Sequence, residues 1–126
     1  MNRELVLKKC ESCGALVKVL MDCECDNCGI KCCGEQMKEL VPNSVDAAFE
    51  KHVPTYEIEN GKVFVKVNHV MEEDHYIEWI AMVSDKKECT KYFKPGEICE
   101  THFKHIPGST LYAYCNKHGL WKTEVE

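Results

Sequence analysis

The sequence has no long apolar run and no apolar segment at its start. No hydrophobic stretch approaches the roughly 20 residues that a helix needs to span a bilayer, so we expect no membrane association. The first five residues lack the apolar core of a secretory signal peptide. We therefore expect a cytoplasmic protein.

An excess of positive charge is also missing. The 126 residues include 16 Lys and Arg against 21 Asp and Glu, a formal net charge of −5. Nucleic-acid binding requires a basic face that neutralises phosphates, so the composition argues against nucleic acid as a partner. With 29% charged and 44% hydrophobic residues, the chain has the composition of a globular protein with one modest core.

Histidine is absent from the first 50 residues, whereas cysteine is concentrated there. Seven of the ten cysteines precede residue 34, and all six histidines follow residue 50. Cysteines in a chain without an export signal indicate metal ligands rather than a disulfide framework. The sequence therefore predicts two metal sites in two domains, a cysteine-rich domain over residues 1–39 and a second domain over residues 40–126.

The second domain has the pattern of short β-strands. Residues 56–59 alternate apolar and acidic side chains, and Asn60-Gly61 is a strong signal for a tight hairpin turn. Further strands are predicted over 76–83, 111–115 and 120–125, and no helix longer than a turn is expected. Short strands at this spacing predict an all-β sandwich or barrel.

The cysteine-rich domain offers four thiolates in two pairs. Cys10-x-x-Cys13 can chelate one ion from a tight turn, and Cys32-Cys33 is an adjacent pair followed by glycine. Four sulfur ligands suit a tetrahedral site for zinc or iron. Spacing alone favours zinc, because structural zinc sites are common.

Three further cysteines leave the ligand set open at this point. Cys25-x-x-Cys28 is itself a chelating pair, so a zinc ribbon that combines it with Cys10 and Cys13 is an alternative. The spacing does not assign a role to Cys23, Cys25 or Cys28.

Four histidines and one cysteine are the candidate ligands in the second domain. Cys115-x-x-His118 places a thiolate and an imidazole at chelate spacing, and His69 and His75 flank the junction of two predicted strands. His52 lies in a loop that enters the sandwich. Taken singly, each histidine is more often an ordinary side chain than a metal ligand.

Five motifs occur in order along the chain. They are Cys10-x-x-Cys13, Cys32-Cys33-Gly34-Glu35-x-Met37, Glu50-Lys51-His52-Val53-Pro54, Met71-Glu72-Glu73-x-His75-x-Ile77-Glu78-Trp79-Ile80 and Tyr114-Cys115-Asn116-x-His118-Gly119-x-Trp121-Lys122. This series resembles the desulfoferrodoxin family, the two-iron class of superoxide reductase. The match runs from about residue 10 to residue 122, and the chain departs from the family pattern in its three extra cysteines and in Asn68-His69-Val70.

The resemblance implies a small desulforedoxin-like iron-binding domain followed by an immunoglobulin-like β-sandwich. It implies two irons per chain. The catalytic iron would have four equatorial histidines and an axial thiolate: His52, His69, His75, His118 and Cys115. The second iron would be bound by Cys10, Cys13, Cys32 and Cys33, and this assignment takes precedence over the zinc that spacing alone favours.

The resemblance also implies a reaction, in which superoxide is reduced by one electron to hydrogen peroxide for oxygen detoxification in an anaerobe. Glu50 is implied to occupy the sixth iron position in the oxidised state. Lys51 is expected to supply local positive charge that attracts the anion and orients the water that delivers protons. Rubredoxin or a similar small carrier is implied as the electron donor, and a homodimer is expected.

Two other functions remain as alternatives. The chain can be a rubredoxin-like electron carrier without superoxide turnover, in which case the histidines have no task, or a zinc-stabilised binding module. Cys89 and Cys99 are expected to be free thiols.

Overall fold

The computed structural model describes residues 3–25 and 29–126 and divides the chain into two compact units. We call Glu4–Val41 the cysteine unit and Pro42–Glu126 the sandwich unit. Cys28 lies outside the described residues. Within the described ranges, no helix has both the length and the apolar character needed to cross a membrane.

The cysteine unit consists of short antiparallel strands. They are β1 (Leu7–Lys9), β2 (Leu16–Lys18), β3 (Lys31–Cys32), β4 (Glu35–Gln36) and β5 (Lys38–Glu39). One sheet has the order β2-β1-β5, and β3 pairs with β4. Four residues form the buried apolar part of this unit in the described chain: Leu5, Leu7, Cys10 and Met37. So small a core requires further stabilisation, for which a bound metal is a common solution.

The sandwich unit contains seven antiparallel strands. They are β6 (Thr55–Glu59), β7 (Lys62–Lys66), β8 (Ile77–Val83), β9 (Glu88–Tyr92), β10 (Glu100–Lys104), β11 (Thr110–Cys115) and β12 (Gly119–Glu124). One sheet has the order β10-β7-β6 and the other β12-β11-β8-β9. Both sheets contribute to one core that includes Val63, Val65, Ile80, Leu111 and Phe103. Three plus four strands on a shared core form an immunoglobulin-like β-sandwich, which confirms the predicted fold class.

The local sequence explains the main hairpin and the central strands. Asn60 and Gly61 adopt positive φ angles of 52° and 75°, as a tight hairpin between β6 and β7 requires. Along β7, buried Val63 and Val65 alternate with exposed residues. All residues of β11 are buried. This strand lies between β8 and β12, and its inner face shares a core with Val63 and Val65 of the other sheet.

Antiparallel pairing brings several strand ends together at one end of the sandwich. Cys115 closes β11 opposite Ile77, near the start of β8, with a shift of register between Tyr114 and Cys115. The segment that leads into β8 contains an isolated bridge between Glu72 and His75. Side chains at residues 75 and 115–118 are therefore neighbours despite about 40 intervening residues.

Candidate metal centres

Four imidazoles form a closed ring at this end of the sandwich unit. His52 follows a single 3-10 turn (Phe49–Lys51), His69 follows β7, His75 precedes β8, and His118 lies between β11 and β12. Successive rings meet nearly edge to face: the centroids of His52 and His69 are 4.6 Å apart, those of His69 and His75 4.6 Å, those of His75 and His118 5.0 Å, and those of His118 and His52 4.9 Å.

Backbone carbonyls determine which nitrogens face the centre of this ring. His52 donates its Nδ1–H to the carbonyl of Ala48 at 2.7 Å, and His69 donates its Nδ1–H to the carbonyl of Val70 at 2.6 Å. Each Nε2 is therefore left with a lone pair. Metal-binding histidines commonly have their second nitrogen fixed in this way.

Cys115 completes a set of five donors. Its Sγ lies 3.5 Å from His69 Nε2 and 3.8 Å from His118 Nδ1, and its side chain is fully buried. One donor atom from each of the five residues lies within 4.8 Å of all the others. The structure thus brings together all five side chains that were predicted for this site.

The cluster fits a bound cation. His75 Nε2 is one of two buried side-chain polar atoms in the described residues without a hydrogen-bond partner, and an unpaired buried nitrogen is costly unless something binds it. His52 Nε2 lies 3.0 Å from His118 Nδ1. Burial lowers the pKa of His69 and of His118, which keeps these rings neutral and able to bind metal. Neutral imidazoles with one thiolate suit ferrous iron.

Glu50 and Lys51 lie on the 3-10 turn directly before His52. Glu50 lines a cleft of about 610 Å³ that also contains His69, Asn68 and Ile98. Lys51 is exposed. The structure therefore places Glu50 beside a cleft that reaches the cluster, while Lys51 lies next to His52 in sequence.

Asn116 is a structural contributor that the sequence did not single out. Its Oδ1 accepts the Tyr76 N–H at 3.0 Å, and its Nδ2 donates to the Asp74 carbonyl at 3.0 Å. The turn that contains Cys115 and His118 is thereby tied to the segment that contains His75. The only sequence signal for this role is the position of Asn116 inside the last motif.

The cysteine unit contains a second cluster. Cys10 and Cys13 lie on the turn after β1, where Gly14 donates its N–H to the Cys10 carbonyl at 2.9 Å, and Cys32 and Cys33 lie at the β3–β4 hairpin. The four sulfurs all lie within 4.8 Å of one another. Cys33 has a φ of 54°, which directs the hairpin into a tight turn.

The spacing of these sulfurs fits a tetrahedral metal site rather than disulfides. The Sγ atoms of Cys13 and Cys32 are 3.6 Å apart, and those of Cys32 and Cys33 are 4.0 Å apart. A metal–sulfur bond of about 2.3 Å gives a tetrahedral edge of about 3.8 Å, whereas a disulfide bond is about 2.05 Å. All four cysteines are free thiols.

The pKa values of these thiols support the same conclusion. A hydrogen bond from the backbone of Cys13 is the main cause that lowers the pKa of Cys10 to about 7. Hydrogen bonding to Cys13 and Cys10 raises the pKa of Cys32 to about 12. The cluster thus holds one thiolate readily but resists a second, so four thiolates require a cation among them.

Among the residues that the structure describes, the other four cysteines take no part in either cluster. Cys23 and Cys25 are exposed and disulfide-bonded, which does not support the zinc-ribbon alternative that used Cys25. Cys89 and Cys99 are free, as expected. Burial raises the pKa of Cys99 to about 12, so this thiol is unreactive.

The chain is similar to proteins of one family. A family model described as desulfoferrodoxin matches residues 44–124. The desulfoferrodoxin of Desulfarculus baarsii is 45% identical over an alignment that covers 98% of this chain and 99% of that protein. The desulfoferrodoxin of Syntrophotalea carbinolica is 41% identical, also with 98% and 99% coverage.

A solved structure has the same fold over nearly the whole chain. The superoxide reductase from Treponema pallidum superimposes with a TM-score of 0.71 at 29% sequence identity, covering 96% of this chain and 99% of that one.

Proposed function

The chain belongs to the desulfoferrodoxin family, and on this basis we propose that it is a superoxide reductase. The observation that carries the proposal is the closed ring of four imidazoles with the Cys115 sulfur beside it. Iron bound there supplies the single electron that superoxide takes up, with two protons, to become hydrogen peroxide. All other contributions come from the side chains of the chain itself.

His52, His69, His75, His118 and Cys115 are the proposed ligands of the catalytic iron. These five side chains would hold the iron and would leave one coordination position to a small ligand. The carbonyls of Ala48 and Val70 keep the lone pairs of His52 and His69 directed into the cluster. The buried Cys115 thiolate supplies the single negative charge among the five donors.

Glu50 and Lys51 are the proposed catalytic residues outside the ligand set. The net charge of −5 opposes the approach of an anion, so a local cation is needed to raise the encounter rate. Lys51 is that cation, and it orients the water that delivers protons. Glu50 lines the cleft together with His69. Its carboxylate would occupy the remaining iron position in the oxidised protein.

Cys10, Cys13, Cys32 and Cys33 are the proposed ligands of a second iron in an N-terminal domain of residues 1–39, which precedes a reductase domain of residues 40–126. Iron in this cluster stabilises the cysteine unit and is a one-electron centre.

We further propose that the protein is cytoplasmic, removes superoxide in an anaerobe, receives electrons from rubredoxin or a similar small carrier, and forms a homodimer. Light scattering of the iron-loaded protein measures its oligomeric state.

Pulse radiolysis of the reduced, iron-loaded protein tests the reaction. We expect rapid loss of superoxide, with one hydrogen peroxide formed for each superoxide consumed and no release of dioxygen. Replacing His75 with Ala removes the ligand whose nitrogen is buried and unpaired, so the variant should lose the histidine-site iron and the reaction.

The matched control is His102→Ala, since His102 is exposed on β10 and belongs to neither cluster. It should retain both irons and the full rate. Dioxygen release by the wild-type protein, or stoichiometric zinc without iron after anaerobic growth with ample iron, would contradict the proposal.

A further inference from the structure

Trp121 contacts two of the ligand histidines, which come from distant parts of the chain. Its indole stacks on the His52 ring, with centroids 4.8 Å apart and an interplanar angle of 26°. Its Nε1–H donates to the backbone carbonyl of His118 at 3.1 Å. His52 and His118 are 66 positions apart in sequence, so one side chain contacts two ligand segments that are distant along the chain.

The surroundings of Trp121 hold the indole rigidly. Trp121 is 1% exposed and lies on β12, where its backbone is paired with Ala113 of β11. The Phe49 ring also meets it edge to face, with centroids 6.1 Å apart. Phe49 begins the 3-10 turn (Phe49–Lys51) that directly precedes His52, so the indole contacts the His52 segment both at the ring and at the turn.

The stacked indole and a hydrogen bond together fix the orientation of the His52 ring. The hydrogen bond from its Nδ1 to Ala48 fixes the ring nitrogen but permits rotation about the direction of that bond. A stacked indole removes this remaining freedom, because the imidazole plane must stay close to parallel with it. Ligands that are fixed by outer contacts bind metal more tightly than free ones.

We infer that Trp121 is a positioning residue of the histidine cluster: it holds His52 and His118 in their ligating arrangement before the metal binds. This inference rests on the metal-binding role proposed above. It assigns to Trp121 no contact with the substrate.

Iron release provides the test. The reduced, iron-loaded full chain is mixed with an excess of a ferrous chelator, and the release phase that the His75→Ala variant lacks is assigned to the histidine site. Trp121→Leu removes both contacts, so we expect this phase to be roughly tenfold to a hundredfold faster than in the wild-type protein. Trp121→Phe keeps an aromatic ring over His52 and should restore most of the retention.

Trp79→Leu is the matched control. Trp79 is a half-buried tryptophan on β8 that stacks on Tyr114, with centroids 5.6 Å apart. Its replacement also removes an aromatic stack from the sandwich, but we expect wild-type iron release. Release from Trp121→Leu within threefold of the Trp79→Leu rate would overturn the inference.

A spectroscopic measurement covers the case in which Trp121→Leu does not fold. Trp121→Phe lacks the donor to the His118 carbonyl. Its oxidised form should therefore show a shifted thiolate-to-iron absorption band and an altered EPR spectrum. The absorption and EPR spectra of Trp79→Phe should match those of the wild type. Absorption and EPR spectra of oxidised Trp121→Phe that are identical to those of the wild type would then overturn the inference. Absence of histidine-site iron from the wild-type protein would instead refute the proposed function.

Discussion

At the residue scale, the hydrogen bonds of each imidazole determine which of its nitrogens faces the centre of the histidine cluster. His52 and His69 are fixed through carbonyl acceptors on Nδ1, whereas His118 presents Nδ1 itself to the cluster. The ordered motifs contain His52 and His118, and the family resemblance that they carry implied His69 as well, yet chelate spacing alone supported only the Cys115–His118 pair. Which nitrogen faces the metal depends on the backbone path, and no sequence pattern contains that information.

Lys51 carries a prediction at this scale. Replacing it with Ala removes the cation next to His52, so the reduced protein should react with superoxide roughly tenfold more slowly at low ionic strength. The salt dependence of the rate should weaken as well, because screening then acts on a smaller attraction. Pulse radiolysis at several salt concentrations measures both effects.

Lys104→Ala is the control for Lys51. Lys104 is exposed at the end of β10, and its replacement changes the net charge equally. We expect little change in its rate. Equal slowing in both variants would mean that total charge, rather than the position of Lys51, governs the encounter.

At the element scale, the polar edge strands were hardest to predict. The hairpin at Asn60-Gly61 and the strands around β8, β11 and β12 were predicted from turn chemistry and apolar pattern, and the structure confirms them with strand ends within one residue of those predicted. β9 and β10 were not predicted. β9 has no fully buried residue, and β10 has only Phe103, so their pairing with neighbouring strands, rather than their own pattern, determines them.

Asn116 connects two elements and allows a prediction at this scale. Asn116→Ala removes the hydrogen bonds to Tyr76 and Asp74, which should lower the free energy of unfolding by about 2 kcal/mol. Because these bonds join the Cys115–His118 turn to the His75 segment, the EPR spectrum of the oxidised histidine site should also change. Urea unfolding and EPR measure the two effects.

Asn43→Gly is the control that distinguishes a loss of folding stability from a change in the geometry of the histidine site. Asn43 makes a similar pair of hydrogen bonds, to both backbone groups of Lys122, and glycine tolerates its φ of 60°. We expect a comparable loss of stability with an unchanged EPR spectrum. A spectrum altered to the same extent in both variants would show that Asn116 acts only through general stability.

At the scale of the whole molecule, the two units differ in what holds them together. The core of the sandwich unit is formed by its own residues from both sheets, whereas the described cysteine unit has four buried apolar residues and a cluster of thiols. The separation of cysteine and histidine along the sequence predicted two domains with one metal site each. The sequence did not predict the disulfide bonding of Cys23 and Cys25, because these residues offered several pairings and no turn signal to choose among them.

This difference predicts that loss of one thiolate unfolds the cysteine unit alone. Cys13→Ser leaves three thiolates, so metal binding should weaken and amide exchange in β1 and β2 should become roughly tenfold faster or more, because metal binding and folding are coupled. All the tryptophans and tyrosines lie in the sandwich unit, so the fluorescence-detected unfolding of that unit should stay near wild type. Hydrogen exchange followed by mass spectrometry therefore reports the cysteine unit, and fluorescence reports the other.

Cys89→Ser, which removes an exposed free thiol on β9, should leave both signals unchanged. Unaltered exchange in β1 and β2 of the Cys13→Ser protein would mean that this small unit is stable without its metal.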